Sequence, residues 1–336
     1  MKTKLLFVSQ DQGSGNALCP VIRELLHDKY LRVRVFAARF SKDVFQEQGI
    51  DFSDLDNRGF KDVLNFKPDL IVTGASMRKC IEKDALLFAR KNRIKALTVL
   101  DFWGNYWERF TVNGEQSPDS LPDHICIMDD IAREQMISAG FPEAKLVVTG
   151  NPYFDTFGIP ETREDNLNYR SILYISQPVF QNGSYRSDLR PFEDLLDIVS
   201  GVDQKIRIII RPHPKDEPGI FDRYKRDNLK VESRQRIGDL IMNSDIVIGK
   251  SSSVLFEAVF RGKLVISYQP VENKQEWLVT NQLGLSYLAR TKPDLRKIID
   301  NALNNQLRIK KLGVYKFYND GKCSDRVIKK LKHIFT

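Results

Sequence analysis

The chain has 336 residues, 42% of them hydrophobic and 29% charged, which suits two globular domains and excludes a disordered chain. No apolar run approaches a membrane span, and four scattered cysteines with no CxxC pair argue against a zinc site or a disulfide framework. A net charge of +8, from 52 basic and 44 acidic residues, admits nucleic acid, an anionic membrane surface or a phosphorylated ligand as partners.

At the N-terminus, Lys2 and Lys4 precede a short apolar run, Leu5-Leu6-Phe7-Val8, which gives way at once to Ser9, Gln10 and Asp11. Lys4–Ser9 therefore reads as a first strand and not as a signal peptide, and a cytoplasmic protein is expected. Further strands are expected at Arg32–Ala38, Leu70–Gly74, Lys95–Asp101, His124–Met128 and Leu146–Gly150. Amphipathic stretches at Ala17–His27, Ser41–Gln48, Lys79–Lys91 and Ala132–Ala139 fall between them as helices. The alternation pauses in the polar, proline-containing stretch Asn151–Tyr169, a candidate linker.

It restarts with strands at Ile172–Ser176, Ile206–Arg211, Leu229–Glu232, Ile246–Gly249 and Leu264–Tyr268. Helices are expected at Arg190–Val199, Arg236–Met242, Val254–Arg261 and Leu295–Leu303. Strands alternating with helices mean parallel sheets with crossover connections. The expectation is α/β: a Rossmann-like domain over 1–155, a second over 170–305, and helices over 306–336 that pack back on the first. Open parallel sheets bind ligands outside the carboxyl ends of their strands, so the loops there are the candidates.

The first such loop is Ser9-Gln10-Asp11-Gln12-Gly13-Ser14-Gly15-Asn16, where Gly13 and Gly15 would admit a phosphate close to the backbone. It lacks the third glycine of the dinucleotide fingerprint, and Ala37-Ala38-Arg39 supplies no acidic ribose partner, so a nicotinamide enzyme is poorly supported. The loop Ser176-Gln177-Pro178 is placed to border a nucleotide. In Arg211-Pro212-His213-Pro214-Lys215 two prolines stiffen the exit from a β-branched strand and present Arg211, His213 and Lys215 to a phosphate. Gly249-Lys250-Ser251 is not a P-loop, because Ile246–Ile248 before it is itself a strand. The strand runs instead into a serine cluster, Ser251-Ser252-Ser253, at a helix start, with Glu257 one turn on and able to accept from a ribose hydroxyl.

Arg211-Pro212-His213-Pro214, with Ser244-Asp245 and the strand into Ser251-Ser252-Ser253, resembles the His-Pro and serine motifs of bacterial GT-B transferases. These are the sialyltransferase-like and Kdo-transferase-like capsule and lipopolysaccharide enzymes and the CDP-glycerol glycerophosphotransferases. Val148-Thr149-Gly150-Asn151-Pro152 resembles the domain junction of the UDP-N-acetylglucosamine 2-epimerases, which share the fold. The resemblance implies two Rossmann-like sheets facing across a cleft, with His213 and Ser252 or Ser253 holding the donor phosphate. It implies a glycosyltransferase moving a sugar from a CMP-, CDP- or UDP-linked donor to a glycan or lipid-linked acceptor, with no metal or other cofactor. The catalytic base would be Asp11, since Asp11-Gln12-Gly13 keeps part of the acidic motif of the sialyltransferase-like enzymes, or else Asp101. Aromatic residues beside Asp101 would stack on a sugar or pack the domain edge. The alternatives are an epimerase that releases and re-adds UDP, or glycerophosphate transfer. The epimerases carry a Gly-Thr-Arg-Pro-Glu type loop after the first strand, which this chain lacks. No RNA-binding signature accompanies the basic residues. Those near the C-terminus, Arg308–Lys311 and Lys329-Lys330-Leu331-Lys332, read as a solvated helix face or as a peripheral contact with an anionic membrane.

Overall fold

A computed structural model describes residues 2–55, 65–77, 79–111, 116–157, 171–181, 184–202, 206–270, 276, 278–310 and 320–335. The chain divides into unit 1, Met1–Gly158 with Tyr315–Thr336, and unit 2, Ile159–Val314.

Unit 1 is built on β1 (Thr3–Ser9), β2 (Leu31–Ala37), β3 (Ser53–Asp54), β4 (Leu70–Thr73), β5 (Lys95–Val99), β6 (His124–Ile127) and β7 (Leu146–Val148). They pair in parallel in the order β3-β2-β1-β4-β5-β6-β7, so the chain reverses direction across the sheet between β1 and β4. Helices α1 (Gln12–Leu26), α2 (Phe40–Glu47), α3 (Ile81–Lys91) and α4 (Asp130–Ser138) connect the strands. On one face Leu5, Phe7, Leu70, Val72, Leu97 and Val99 alternate inward against Leu18, Val21 and Ile22 of α1.

That face is completed from the far end of the chain. Val327, Ile328 and Leu331 of the last helix (Cys323–Phe335) are buried in the same core. Asp155 fixes the start of this helix: its carboxylate accepts from the backbone N–H of Cys323 at 3.0 Å and of Ser324 at 2.7 Å, and from the Ser324 hydroxyl at 2.7 Å. Asp155 lies in a stretch expected as linker, but Pro152–Phe157 form a 3-10 segment that buries Phe154. Residues 158–169 of that expected linker lie outside the described residues.

In unit 2, β8 (Ser171–Ile175), β11 (Arg207–Arg211), β12 (Leu229–Val231), β13 (Ile246–Gly249), β14 (Leu264–Tyr268) and β15 (Tyr287–Ala289) form a second parallel sheet, ordered β12-β11-β8-β13-β14-β15. Its reversal lies between β8 and β13. A short antiparallel ribbon, β9 (Val179–Gln181) and β10 (Ser184–Arg186), comes after β8 and was not expected. The Asn182-Gly183 pair that joins it lies outside the described residues. The helices are α5 (Arg190–Ser200), α6 (Ile237–Met242), α7 (Ser253–Phe260), α8 (Val279–Gln282) and α9 (Lys292–Leu303), and the terminal helix of unit 1 is α10. Phe192, Leu195 and Ile198 of α5 and Leu295 and Ile299 of α9 pack on one face of this sheet. No helix among the described residues is long and apolar enough to cross a membrane.

Replacing Asp155 by Ala removes the acceptor of three bonds at the start of α10. Loss of a capping side chain costs about 2 kcal/mol at the upper end. Thermal unfolding should show the transition of unit 1 lowered by roughly 4–8 °C, with Asp155→Asn falling between Ala and wild type.

Candidate active site

In unit 1 the carboxyl ends of β1, β4 and β5 bring together the loop after β1, Gly74–Ser76, and Asp101. Helix α1 begins earlier than its hydrophobic pattern indicates, at Gln12, with Asp11 as an extended N-cap residue. Gly13 and Gly15 are therefore helical. Glycine is a poor helix former, and close packing explains both positions. A Cβ on Gly13 would stand 2.2 Å from Asp101 Oδ2, and one on Gly15 would press on Ser41 and Val44 at 3.3 Å. Gly74 makes the matching approach from β4, its absent Cβ leaving room for Ser14 Oγ. The two glycines expected to cradle a phosphate let α1 settle on α2 and on Asp101.

Asp101 is fixed from several sides. Arg109 Nη1 donates to its Oδ1 at 2.8 Å and to the Ala75 carbonyl at 2.6 Å, while Arg109 Nε donates to the Gly104 carbonyl at 3.3 Å. Arg109 is buried, whereas the Asp101 side chain keeps 19% exposure. The Asp101 backbone carbonyl accepts from Asn151 Nδ2 at 2.9 Å. Gly150, at φ 80°, turns the chain so that Asn151 reaches that carbonyl, which gives the Gly150-Asn151-Pro152 stretch a local purpose.

The neighbouring aromatics pack. Trp103 is buried and donates from Nε1 to Asp129 at 2.9 Å, Tyr106 donates to Gln135 at 2.6 Å, and the Trp107 ring lies 4.2 Å from that of Phe141.

Asp11 sits beside a group that the motif reading missed. Glu82, in the first turn of α3, is buried, and its Oε1 accepts from the Gln10 N–H at 2.8 Å, the Ser14 hydroxyl at 3.1 Å and the Ser76 hydroxyl at 2.6 Å. Its Oε2 has no partner. Burial pushes the Glu82 carboxyl above its ordinary range, with the Ser76 hydroxyl and the backbone N–H groups of Glu82 and Gln10 opposing and the Asp11 charge adding. Its spacing with Ala85, Leu86 and Ala89, all buried, places an acid on the inward stripe of an amphipathic helix. That is the sequence signal that could have found it.

In unit 2 the ends of β8, β11 and β13 carry the expected phosphate residues. His213 Nδ1 accepts from the Lys215 N–H at 3.0 Å, and the His213 N–H donates to Asp216 at 2.8 Å. Burial pulls the His213 imidazole below its usual range, against the Asp216 charge and aided by Lys215. At neutral pH the ring is uncharged with its hydrogen on Nε2, a donor whose direction is set by the turn. Ser252 N-caps α7, accepting from the Val254 N–H at 3.3 Å, with Ser253 exposed as the first helical residue.

Other expected ligands are engaged within the unit. Gln177, in the loop expected to border a nucleotide, is clamped to the serine loop. Its Oε1 accepts from the Ser251 N–H at 2.9 Å and its Nε2 donates to Ser251 Oγ at 3.2 Å. Arg211 donates to the carbonyls of Gln235 at 2.9 Å and Glu232 at 3.4 Å, anchoring the loop after β12. The Lys215 ammonium lies over the Tyr185 ring, 4.3 Å from its centre. Ser176 is buried, its N–H donating to the Arg211 carbonyl at 3.0 Å. Glu257, expected to meet a ribose, is buried and accepts from Arg261 Nε at 2.9 Å, against Gly238 of α6.

The protein-family model for UDP-N-acetylglucosamine 2-epimerase matches residues 118–332. Among curated proteins, the teichoic acid glycerol-phosphate primase of Bacillus subtilis (strain 168) is 23% identical over 209 residues, 59% of this chain and 54% of that protein. The match thus spans about half the length of this curated relative. Among solved structures, the UDP-GlcNAc 2-epimerase of Neisseria meningitidis, bound to UDP-GlcNAc, matches with a TM-score of 0.70 at 16% identity, covering 98% of this chain and 100% of that one. A lipopolysaccharide outer core galactosyltransferase matches with a TM-score of 0.58 at 14% identity, covering 98% and 99%. At such identities the likeness establishes the fold: two Rossmann-like units of the GT-B type.

The contact of Gly13 with Asp101 is open to a double-mutant cycle. Gly13→Ala should lower stability by about 1–3 kcal/mol in thermal melts, the usual cost of overpacking. Most of that loss should vanish in an Asp101→Ser background, where the opposing carboxylate is gone. Equal losses in both backgrounds would mean that the helix, not the carboxylate, resists the methyl group.

Proposed function

The chain belongs to the UDP-N-acetylglucosamine 2-epimerase family, and on that premise we propose that it converts a UDP-linked N-acetylhexosamine into its C2 epimer. The observation that carries this reading is the Asp101 carboxylate, fixed by Arg109 and Gly13 at the switch point of unit 1 and still partly open to solvent.

Inverting C2 requires its hydrogen to leave as a proton and a proton to return on the opposite face. The C2–H electrons form a C1–C2 double bond as the C1–O bond breaks and its electrons depart with UDP. Re-addition reverses these steps: a proton binds C2 from the other face and the UDP oxygen re-forms the bond to C1. Such a cycle needs carboxyl groups near the sugar and donors for the departing diphosphate. Unit 1 suits the first need, with Asp101 as the base and Asp11 as the second carboxyl. Unit 2 suits the second, with His213 Nε2–H and the Ser252–Ser253 start of α7 donating to phosphate oxygens. The loop after β1 has no arginine of the Gly-Thr-Arg-Pro-Glu type, and Arg109, from the loop after β5, supplies a cation beside Asp101 in its place.

Glycosyl or glycerophosphate transfer is the second reading, favoured by the match to the teichoic acid primase. The two differ in what happens without an acceptor. Incubated with UDP-GlcNAc in D2O, an epimerase places deuterium at C2 and produces the C2 epimer, both visible by NMR. A transferase leaves C2 unlabelled and releases nucleotide only when an acceptor is added.

In the exchange assay Asp101→Asn should reduce turnover on the order of 10²–10⁴-fold with UDP affinity retained, as expected on loss of a general base. His213→Ala should weaken UDP binding about tenfold, the worth of one hydrogen bond near the upper end of its range. Normal exchange in both variants would remove these assignments.

A further inference from the structure

We propose that Glu82 is a positioning residue that works as an uncharged carboxylic acid, tying the loop after β1, the first turn of α1 and the loop after β4 into one rigid support for Asp11 and Asp101. The support rests on connectivity. Oε1 gathers the Gln10 N–H, the Ser14 hydroxyl and the Ser76 hydroxyl, and Ser76 Oγ in turn accepts from the Asp11 N–H at 3.2 Å. Ser14 is the residue after Gly13, against which Asp101 rests. Every link from Glu82 therefore ends within one residue of a group placed in the site.

The uncharged state is dictated by how the two oxygens are treated. A carboxylate spreads its charge over both, and each then needs donors. Here one oxygen has three and the other has none, although it is sealed from solvent. A carboxylic acid fits this asymmetry, with its carbonyl oxygen taking the donors and its hydroxyl facing the side without them. A lone buried hydroxyl costs far less than a lone buried charge. The donors on Glu82 and the charge of Lys83 favour the ionised form but do not outweigh its burial. Asp11 repels it from the α1 side, and Cys80, on its own helix, is held as a thiol by burial. Lys83 of α3 commits its ammonium to the Glu108 carbonyl at 2.6 Å. The β4 side offers only the Ser76 hydroxyl. The raised carboxyl is in keeping with this arrangement.

The role in turnover rests on the proposed epimerase reading; the protonation state does not, and the experiment separates them. Glu82→Gln preserves the shape and the accepting oxygen of the acid, whereas Glu82→Ala removes the hub. In the deuterium-exchange assay Glu82→Ala should lose kcat on the order of 10²-fold, the cost of misplacing a catalytic group by about 1 Å, with little change in KM. Glu82→Gln should restore most of that loss and, unlike wild type, should show no decline in rate at alkaline pH. Glu82→Gln as inactive as Glu82→Ala would overturn the proposal, because a charged or proton-transferring Glu82 is what Gln cannot replace.

Thermal melts of the free proteins give the second readout. The folded wild type keeps a proton that the unfolded chain gives up above the ordinary glutamate range, so its stability declines as pH rises through that interval. Gln carries no such proton. The Tm of Glu82→Gln relative to wild type should therefore climb as pH rises above the ordinary glutamate range. A Tm difference that is flat with pH, or that falls, would overturn the uncharged state even if no turnover of UDP-GlcNAc is found. Absence of turnover in wild type together with a climbing Tm difference would reject the epimerase reading and leave Glu82 protonated.

Discussion

The approach of α1 to the ends of β4 and β5, permitted by the missing side chains of Gly13 and Gly74, determines most of what unit 1 can do chemically. A parallel sheet opens at its switch point, and a helix N-terminus there is ordinarily an invitation to an anion. Here the helix comes down so far that Ser14 occupies the space above Gly74 and the Asp101 carboxylate the space beside Gly13. The site keeps a carboxylate with a fixed direction, a buried arginine holding one of its oxygens, and partial access to solvent. This suits proton transfer better than phosphate binding.

Unit 2 reaches a different solution with the same fold. Its switch point between β8 and β13 carries hydroxyls, a neutral imidazole whose donor direction is set by backbone contacts, and the start of α7. Several residues that look like ligands by type are spent on keeping this edge rigid. Gln177 and Ser251 lock two loops together, Arg211 braces a third, and Lys215 rests on Tyr185. Side chains committed in this way explain how few groups need to face a ligand for the edge to be well ordered.

Both parallel sheets were legible in the sequence, because β-branched strands alternating with amphipathic helices leave few other architectures. Short strands were not. Ser53–Asp54, Tyr287–Ala289 and the β9–β10 ribbon are held by neighbours and not by their own pattern. The glycines of the first loop misled for a related reason. Gly-Ser-Gly suggests a loop by propensity, and its helical state comes from contacts with Asp101, Ser41 and Val44, distant in sequence. Gln177 was visible as a polar residue at a strand end and Glu257 as one a turn into a helix, but their partners, Ser251 and Arg261, were not. Glu82 stood inside an expected helix and drew no notice, because polar residues in helices are usually solvated. Only its register with Ala85, Leu86 and Ala89 marks it as inward.

The bond between Asp155 and the start of α10 has a consequence for how the protein comes into being. The strands of unit 1 are made before unit 2, yet one side of their core waits for Val327, Ile328 and Leu331, which follow unit 2 in the chain. Unit 2 is translated entirely within that interval and has its complete set of strands before unit 1 has its final helix. Domains generally fold as units during synthesis, the earlier before the later. Between these two units the order of completion is inverted, and the one begun earlier carries an exposed apolar face until α10 has been made. That interval is when the nascent protein is most open to aggregation and to capture by chaperones.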